Sequence, residues 1–483
     1  MRTTPFLILA LAIAANTRLD GQAPKRSDKT DAILTSIDAH SAHYADVAKQ
    51  IWGFAELGYQ EAKSSALLQS ELSGAGFKVN AGIAGMPTAF TAEYGSGKPV
   101  IAIIGEFDAL PGLSQDATPE QKALVAGGAG HGCGHHLFGT AAAASAIAVK
   151  EWMIANKVNG TLRFYGTPAE EGGSGKVYMV RDGLFDDVDV AVTWHPGDRN
   201  EITGTSSLAN ISGKFKFHGV SAHAAAAPEQ GRSALDAVEI MDVMTNYLRE
   251  HIPQESRIHY VITNGGRAPN VVPDLAEVYY VVRHPDMKVV DDIWARVINA
   301  AKGAALGTGT TYELAIISSV YELLINETLA KVQQRALERV GGFTYNAEEK
   351  AFAEKLQKTL FKSAVPLETT AKVYPLDLTS PVGGGSTDVG DVSWRVPTVQ
   401  LNAATWVPGT PAHSWQAVAA GGMSIGTKGM VVAAKTMALT AAELFTAPAT
   451  IAAAKAEFDR QRGPNFKYFT RLGMQKPALD YRK

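Results

Sequence analysis

Four side chains able to bind a metal or carry a proton stand just past the ends of apolar, strand-like runs, and this placement restricts the fold more than any other feature of the sequence. Asp108 follows the run 99–104, Glu170 and Glu171 follow 161–165, and His195 ends the run 189–194. Stretches with helical periodicity separate these runs, one over 137–155 and one through Val177, Met179 and Val180. Strands alternating with helices predict an α/β fold with a mostly parallel central sheet and helices on its faces. Ligands of such sheets bind beyond the carboxyl ends of the strands, where these four residues stand.

The rest of the chain extends this pattern and interrupts it once. A helical region covers 31–77. Near Ile211 the order changes to strand (213–217), helix (233–250), two strands (257–263 and 276–283), helix (290–305) and strand (312–319). This βαββαβ order predicts a ferredoxin-like unit. It is inserted, because a helix over 327–340, a strand over 398–401 and an alanine-rich helix over 429–444 resume the first pattern. The expected division is a leader at 1–23, a catalytic domain in two parts (31–210 and 323–450), an inserted unit at 211–322 and an extension at 451–483. The extension is rich in Arg, Lys, Gly and Pro, and the sequence assigns it no role.

A length of 483 residues with 46% hydrophobic content supports more than one domain with large cores. The formal charge of −3 gives no electrostatic footprint for nucleic acid or an acidic membrane. The single cysteine excludes an internal disulfide framework. At the N-terminus, Arg2 precedes an apolar run at 5–15 containing Ala10, Ala12 and Ala14. That run is shorter than the roughly 20 residues of a spanning helix and fits an export signal. The expected location is periplasmic or secreted, free of the membrane after cleavage. An unpaired cysteine there meets oxidising conditions, and a metal-held thiolate is a reason to keep it.

The cysteine lies in GHGCGHH, where Cys133-Gly134-His135 offers a thiolate and an imidazole to one small region. Such a pair suits borderline-soft divalent metals; the alternative is a buried free cysteine among turn glycines. In the adjacent pair Glu170-Glu171 one carboxylate can bind a metal while the other stays free as a proton carrier. With His195 and His413 the set reaches five ligand-type side chains and one free base. Two divalent ions roughly 3.5–4 Å apart fit that inventory. His195 before Pro196 also reads as a strand-end turn, and His413 as a loop histidine. Two rival chemistries fail. The G-x-S-x-G match around Ser424 needs a later histidine, and none follows His413. Gly130, Gly132 and Gly134 do not complete a dinucleotide fingerprint, because Leu137 stands at the third glycine.

These pieces together resemble the M20 family of metal-dependent amidohydrolases and peptidases, in its cysteine-containing branch with aminoacylase-type and auxin-conjugate hydrolases. The matching stretches are GEFDALPG, GHGCGHH, GTPAEEGG, TWHP, GVSAHAAAAPEQGRSALDA, APNVVPD and PAHS, spread over 31–444. GGGSTDVGDVSW is most similar to the branch that cleaves aminobenzoyl-glutamate. The resemblance implies a zinc-peptidase-like catalytic domain with a lid and dimerisation domain inserted in it. Cys133, His135, Glu171, His195 and His413 would hold two divalent ions, Zn²⁺ or Mn²⁺. Glu170 would be the general base, and Asp108 would orient a ligand histidine. His223 would reach a partner's site to stabilise the oxyanion, and Asn270 and Arg283 would hold the substrate's carboxylate. The implied substrate is a small N-acyl or N-aroyl amino acid. The implied assembly is a homodimer, or a heteromer with a related subunit, through the lid. A dipeptidase, a carboxypeptidase and a non-catalytic partner subunit are the alternatives. The sequence departs from the family at His136, where relatives often carry Asp or Asn, and at Thr387, where many carry Glu.

Overall fold

The computed structural model describes residues 29–361 and 365–482. The expected leader at 1–23 lies outside the described residues. Eleven strands are described: β1 (Lys78–Ala81), β2 (Phe90–Ser96), β3 (Val100–Glu106), β4 (Gly160–Thr167), β5 (Val190–Gly197), β6 (Glu201–Ile202), β7 (Ala209–His218), β8 (Arg257–Asn264), β9 (Leu275–His284), β10 (Thr311–Val320) and β11 (Thr398–Ala404).

Strand β3 is buried at every position, which explains its unbroken apolar run. Ile101 and Ile103 join the core formed with the helices His135–Asn156 and Ser424–Thr446. Val100, Ala102 and Ile104 pack on the other face with Val177, Val180 and Phe185. The large sheet has the order β1-β2-β4-β3-β5-β11-β6. Its middle strands β4, β3, β5 and β11 are parallel, whereas β1, β2 and β6 pair antiparallel. The expectation of a mostly parallel sheet therefore holds for the middle only. Short links at 97–99 and 198–200 reverse the chain and leave no length for a crossover helix.

Strands β7 to β10 form a second, wholly antiparallel sheet in the order β10-β7-β9-β8. The helices Ala234–Leu248 and Met287–Thr308 cover one face, capped by the side chains of Ser233 and Asp286. Burial along β9 alternates: Ala276, Val278, Tyr280 and Val282 pack under these helices. The intervening Tyr279, Val281 and Arg283 line a cavity together with Cys133 and His195 of the first body.

After the helix Pro448–Arg462, residues 463–482 run across both bodies. Phe466 and Tyr468 pack against the core of the second sheet, and Leu472 is buried in that of the first. Arg471 makes a forked pair with Asp291, at 2.8 and 2.6 Å. The Tyr468 hydroxyl donates to Asp391 Oδ1 at 2.6 Å, and the Tyr321 amide donates to Oδ2 at 3.0 Å. Burial nevertheless pushes the Asp391 carboxyl up to about 7.

Two stability outcomes follow. Ile103→Ala in the middle strand costs about 3 kcal/mol, read from the shift in the urea midpoint of tryptophan fluorescence. For Asp391, the folded chain favours the protonated acid. The stability it contributes is full below its ordinary pKa of 3.8 and is lost as pH rises through about 7. The melting temperature of Asp391→Asn relative to the wild type accordingly rises between about pH 4 and about pH 7 and levels off above.

Candidate active site

At the carboxyl ends of the parallel strands the backbone makes a series of conformations that few residue types accept. Gly134 has φ +78° and opens the helix His135–Asn156; a Cβ there would lie 2.7 Å from Pro196. A Cβ on Gly132 would lie 3.3 Å from the backbone of His413. His413 is itself left-handed (φ 57°), and its amide donates to the Gly132 carbonyl at 2.9 Å. The loop after β4 begins and ends on left-handed non-glycine residues, Ala169 (φ 57°) and Ser174 (φ 58°). These turns direct side chains from separate strand ends into one place.

Asp108 links two of the elements. Its Oδ1 accepts from His135 Nδ1 at 2.9 Å, and its Oδ2 accepts from the Glu171 amide at 2.9 Å. The acceptor fixes the proton on His135 Nδ1, so the Nε2 lone pair faces inward. His195 is fixed the same way: Nδ1 donates to the Pro196 carbonyl at 2.7 Å, leaving Nε2 3.3 Å from Cys133 Sγ. Glu171 Oε1 lies 3.3 Å from His413 Nε2. Glu106 Oε2 lies 3.1 Å from His135 Nε2. Despite these distances, His135 Nε2, Glu171 Oε1 and Glu106 Oε2 complete no hydrogen bond. Buried nitrogen and oxygen atoms that converge without bonding one another have the chemistry of a cation's ligands.

The charges are unequal. Glu106, Glu171 and Asp388 surround Glu170, and the Lys176 ammonium lies 2.7 Å from Glu106 and 2.7 Å from Asp388. Burial opposes the Lys176 charge, but Asp388 and Glu106 raise its pKa. Burial, reinforced by Glu106, Glu171 and Asp388, holds the Glu170 carboxyl well above the usual range. Burial also pushes the Cys133 thiol up, with Glu171 adding to the effect. At His135 burial disfavours the charge, yet Cys133, Glu106 and Asp108 raise its pKa. Positive charge placed among these groups reverses the trend for both the thiol and the carboxyls.

Of the residues singled out in the sequence, Cys133, Glu170, Glu171, His195, Arg283 and His413 line one cavity of about 590 Å³. His135 and Asp108 lie buried behind its wall. Arg283 stands on the β9 side, with Nη1 3.4 Å from Ser386 Oγ. His223 and Asn270 do not line that cavity. They sit together on exposed loops of the second sheet, bridged by the Ala224 amide and the Asn270 carbonyl at 3.0 Å. His136 points away from the ligand cluster: its Nε2 contacts the Gly421 carbonyl at 3.1 Å and its ring packs on His131. Its departure from the family pattern therefore adds no side chain to that cluster. Glu106 and Lys176 were not singled out. Glu106 sits in GEFDALPG beside Asp108 and was open to recognition, whereas nothing in sequence separates a buried lysine from a surface one.

The donors fit a divalent metal centre. Cys133, His135 and His195 offer ligand atoms within 4.8 Å of one another, as do Cys133, Glu171 and His413. These two triads share the sulfur, and the acidic excess matches ions of high charge. Glu106, His135 and Glu170 form a third such group. Fold and site together define a metal-dependent hydrolase of the α/β class. The family model "Peptidase family M20/M25/M40" matches residues 102–417, and the chain belongs to that family. It is 46% identical over 435 residues to one of the subunits of p-aminobenzoyl-glutamate hydrolase from Escherichia coli strain K12, covering 85% of this chain and 90% of that one. An aminobenzoyl-glutamate utilization protein from Klebsiella pneumoniae has the same fold, with TM-score 0.60, 18% identity and coverage of 86% and 98%. So does a dinuclear metal-binding M20 peptidase from Bacillus subtilis, with TM-score 0.57, 17% identity and coverage of 85% and 99%. The chain is a hydrolase of amide bonds, the activity that the sequence led us to expect.

Lys176→Met leaves Glu106 and Asp388 buried without their cation, at a cost of about 3–5 kcal/mol in the unfolding free energy measured with denaturant.

Proposed function

We propose that this chain hydrolyses the amide bond of N-acyl or N-aroyl amino acids, with aroyl-glutamates favoured. The carrying observation is Glu170: a half-buried carboxyl that lines the cavity beside the ligand triads and belongs to neither sulfur-sharing set. A purely structural subunit has no use for a proton carrier there. Arg283, on the opposite wall of the same cavity, fits a substrate with a free carboxylate beyond the scissile amide. The name of the Escherichia coli relative supports the aroyl-glutamate preference.

In this reading Cys133, His135, Glu171, His195 and His413 hold two ions, and the sulfur and imidazole donors favour zinc over manganese. Bound divalent ions supply Lewis acidity toward the amide carbonyl and lower the pKa of water. The chain's own residues do the rest. Glu170 takes the proton from water as its oxygen attacks the carbonyl carbon. It then returns that proton to the amide nitrogen as the C–N bond breaks. Asp108 keeps His135 in the tautomer that presents Nε2 to the ion. Arg283 holds the leaving amino acid by its carboxylate.

His223 and Asn270 complete the site from a second chain. The helix Ala234–Leu248 exposes Ile240, Val243, Met244 and Tyr247, spaced to form one apolar face, and Tyr247 is 71% exposed. Beside it β8 forms a free sheet edge carrying exposed Val261 and Ile262. These features support association through the inserted unit at 211–322, with a second copy or with a related subunit. Export with removal of 1–23 belongs to the same proposal; mass measurement of the mature protein from its host checks it.

Glu170→Ala is expected to lower turnover of an aroyl-glutamate by about 10²–10⁴-fold, with metal content by elemental analysis near the wild type. A parallel loss of metal would exchange the roles of Glu170 and Glu171. Chelation abolishes activity, and titration with zinc or manganese restores it and identifies the preferred ion. Co-expressed His223→Ala and Glu170→Ala chains recover up to about a quarter of wild-type activity, because half of randomly paired dimers carry one intact site. No recovery would place His223 outside the partner's site.

A further inference from the structure

The loop that carries Glu170 and Glu171 is held from behind by a segment whose sequence suggested no role. The loop needs holding, because Ala169 and Ser174 occupy left-handed conformations and Gly172 has φ 98°. From the catalytic body, the Ala169 amide donates to Glu61 Oε1 at 2.8 Å and the Tyr59 hydroxyl donates to the Gly173 carbonyl at 2.5 Å. A further hold falls on the Glu171 carbonyl. The Tyr481 hydroxyl donates to it at 3.2 Å, and the Arg482 guanidinium makes a second bond to the same oxygen.

Tyr481 is seated for this contact. Its ring meets that of Tyr59 edge-on, with centroids 5.6 Å apart. Gly58 leaves the space for the hydroxyl, since a Cβ there would lie 2.3 Å from it. Upstream, the same segment is fastened to the second sheet's body: Arg471 pairs with Asp291, and the Gln475 amide donates to the Ile316 carbonyl at 3.0 Å. One stretch of chain therefore ties the inserted unit to the peptide that aims Glu170 and Glu171.

We propose that Tyr481 and Arg482 are positioning residues of the hydrolytic site, fixing the Glu171 peptide so that both glutamate side chains face the cavity. They touch no reacting atom. Two donors on one carbonyl restrict rotation of the 171–172 peptide, and that rotation would swing the Glu171 carboxylate away from His413 and Cys133. The inference rests on the proposed roles of Glu170 and Glu171.

The test uses the full chain and the variants Arg482→Ala and Tyr481→Phe, the second of which removes a single hydroxyl and keeps the ring packing. Three quantities are read: the kcat and the KM for an aroyl-glutamate, and zinc affinity by competition with a chromogenic chelator. Arg482→Ala is expected to lower kcat at least tenfold with KM within about twofold, and to weaken zinc binding at least tenfold. Tyr481→Phe is expected to move kcat and zinc affinity in the same direction by about threefold. Should both variants keep kcat and zinc affinity within about twofold of the wild type, the clamp is wrong. Should Arg482→Ala fail to fold, Tyr481→Phe alone decides, on the same criterion. Glu170→Ala is run alongside. If it keeps wild-type activity the base assignment falls, while the chelator competition still judges the clamp, because that readout needs no turnover.

Discussion

A single carboxylate organises the site. Asp108 accepts from the imidazole of His135 with one oxygen and from the backbone of Glu171 with the other. The end of β3, the start of the helix His135–Asn156 and the loop after β4 thereby become one rigid corner. Each bond alone is an ordinary charge-assisted contact of a buried acid. Together they set a tautomer and a loop position at once, two conditions a metal centre needs before an ion arrives. His135 and its neighbours return the favour: burial opposes the Asp108 charge, but their positive and hydrogen-bonding contributions keep its pKa low.

Around that corner the chain has gathered more acid than it can neutralise. Lys176 balances part of it, in contact with both Glu106 and Asp388. Buried ion pairs are costly to desolvate, and hydrophobic residues of the same volume often serve stability better. Their presence here is understandable if the site is completed by cations and the lysine fixes where the remaining acids point. Asp388 also takes the Lys176 backbone amide, at 2.9 Å, which holds the short helix Gly175–Arg181 against the loop that follows Ser386.

How much of this was legible in the sequence depends on whether the signal was local. The strand runs and the side chains just beyond them were legible, because burial on both faces leaves an unbroken apolar stretch and the ligand position follows from the direction of the strands. The helix over 327–340 was legible to the residue, bounded by the cap at Asn326 and by Gly341. The hairpin of β1 and β2 was not, since Phe90–Ser96 mixes Thr, Glu, Gly and Ser and sits at the sheet's margin. Lys176 and Glu106 were invisible as a pair because their meeting depends on tertiary distance. The 463–482 segment has no periodicity at all; its role lies in point contacts made by Tyr468, Arg471, Tyr481 and Arg482. The family resemblance was strong at the motifs and silent about all of these.

The free edge of β8 and the apolar helix beside it have a consequence for how the protein works in bulk. On the proposed assembly each chain lends its neighbour an oxyanion donor, so catalytic capacity belongs to the pair. Specific activity then becomes a property of concentration: dilution below the dissociation constant of the pair separates the chains and silences sites whose own ligands are undisturbed. A compartment that keeps the protein crowded would hold it switched on without any effector.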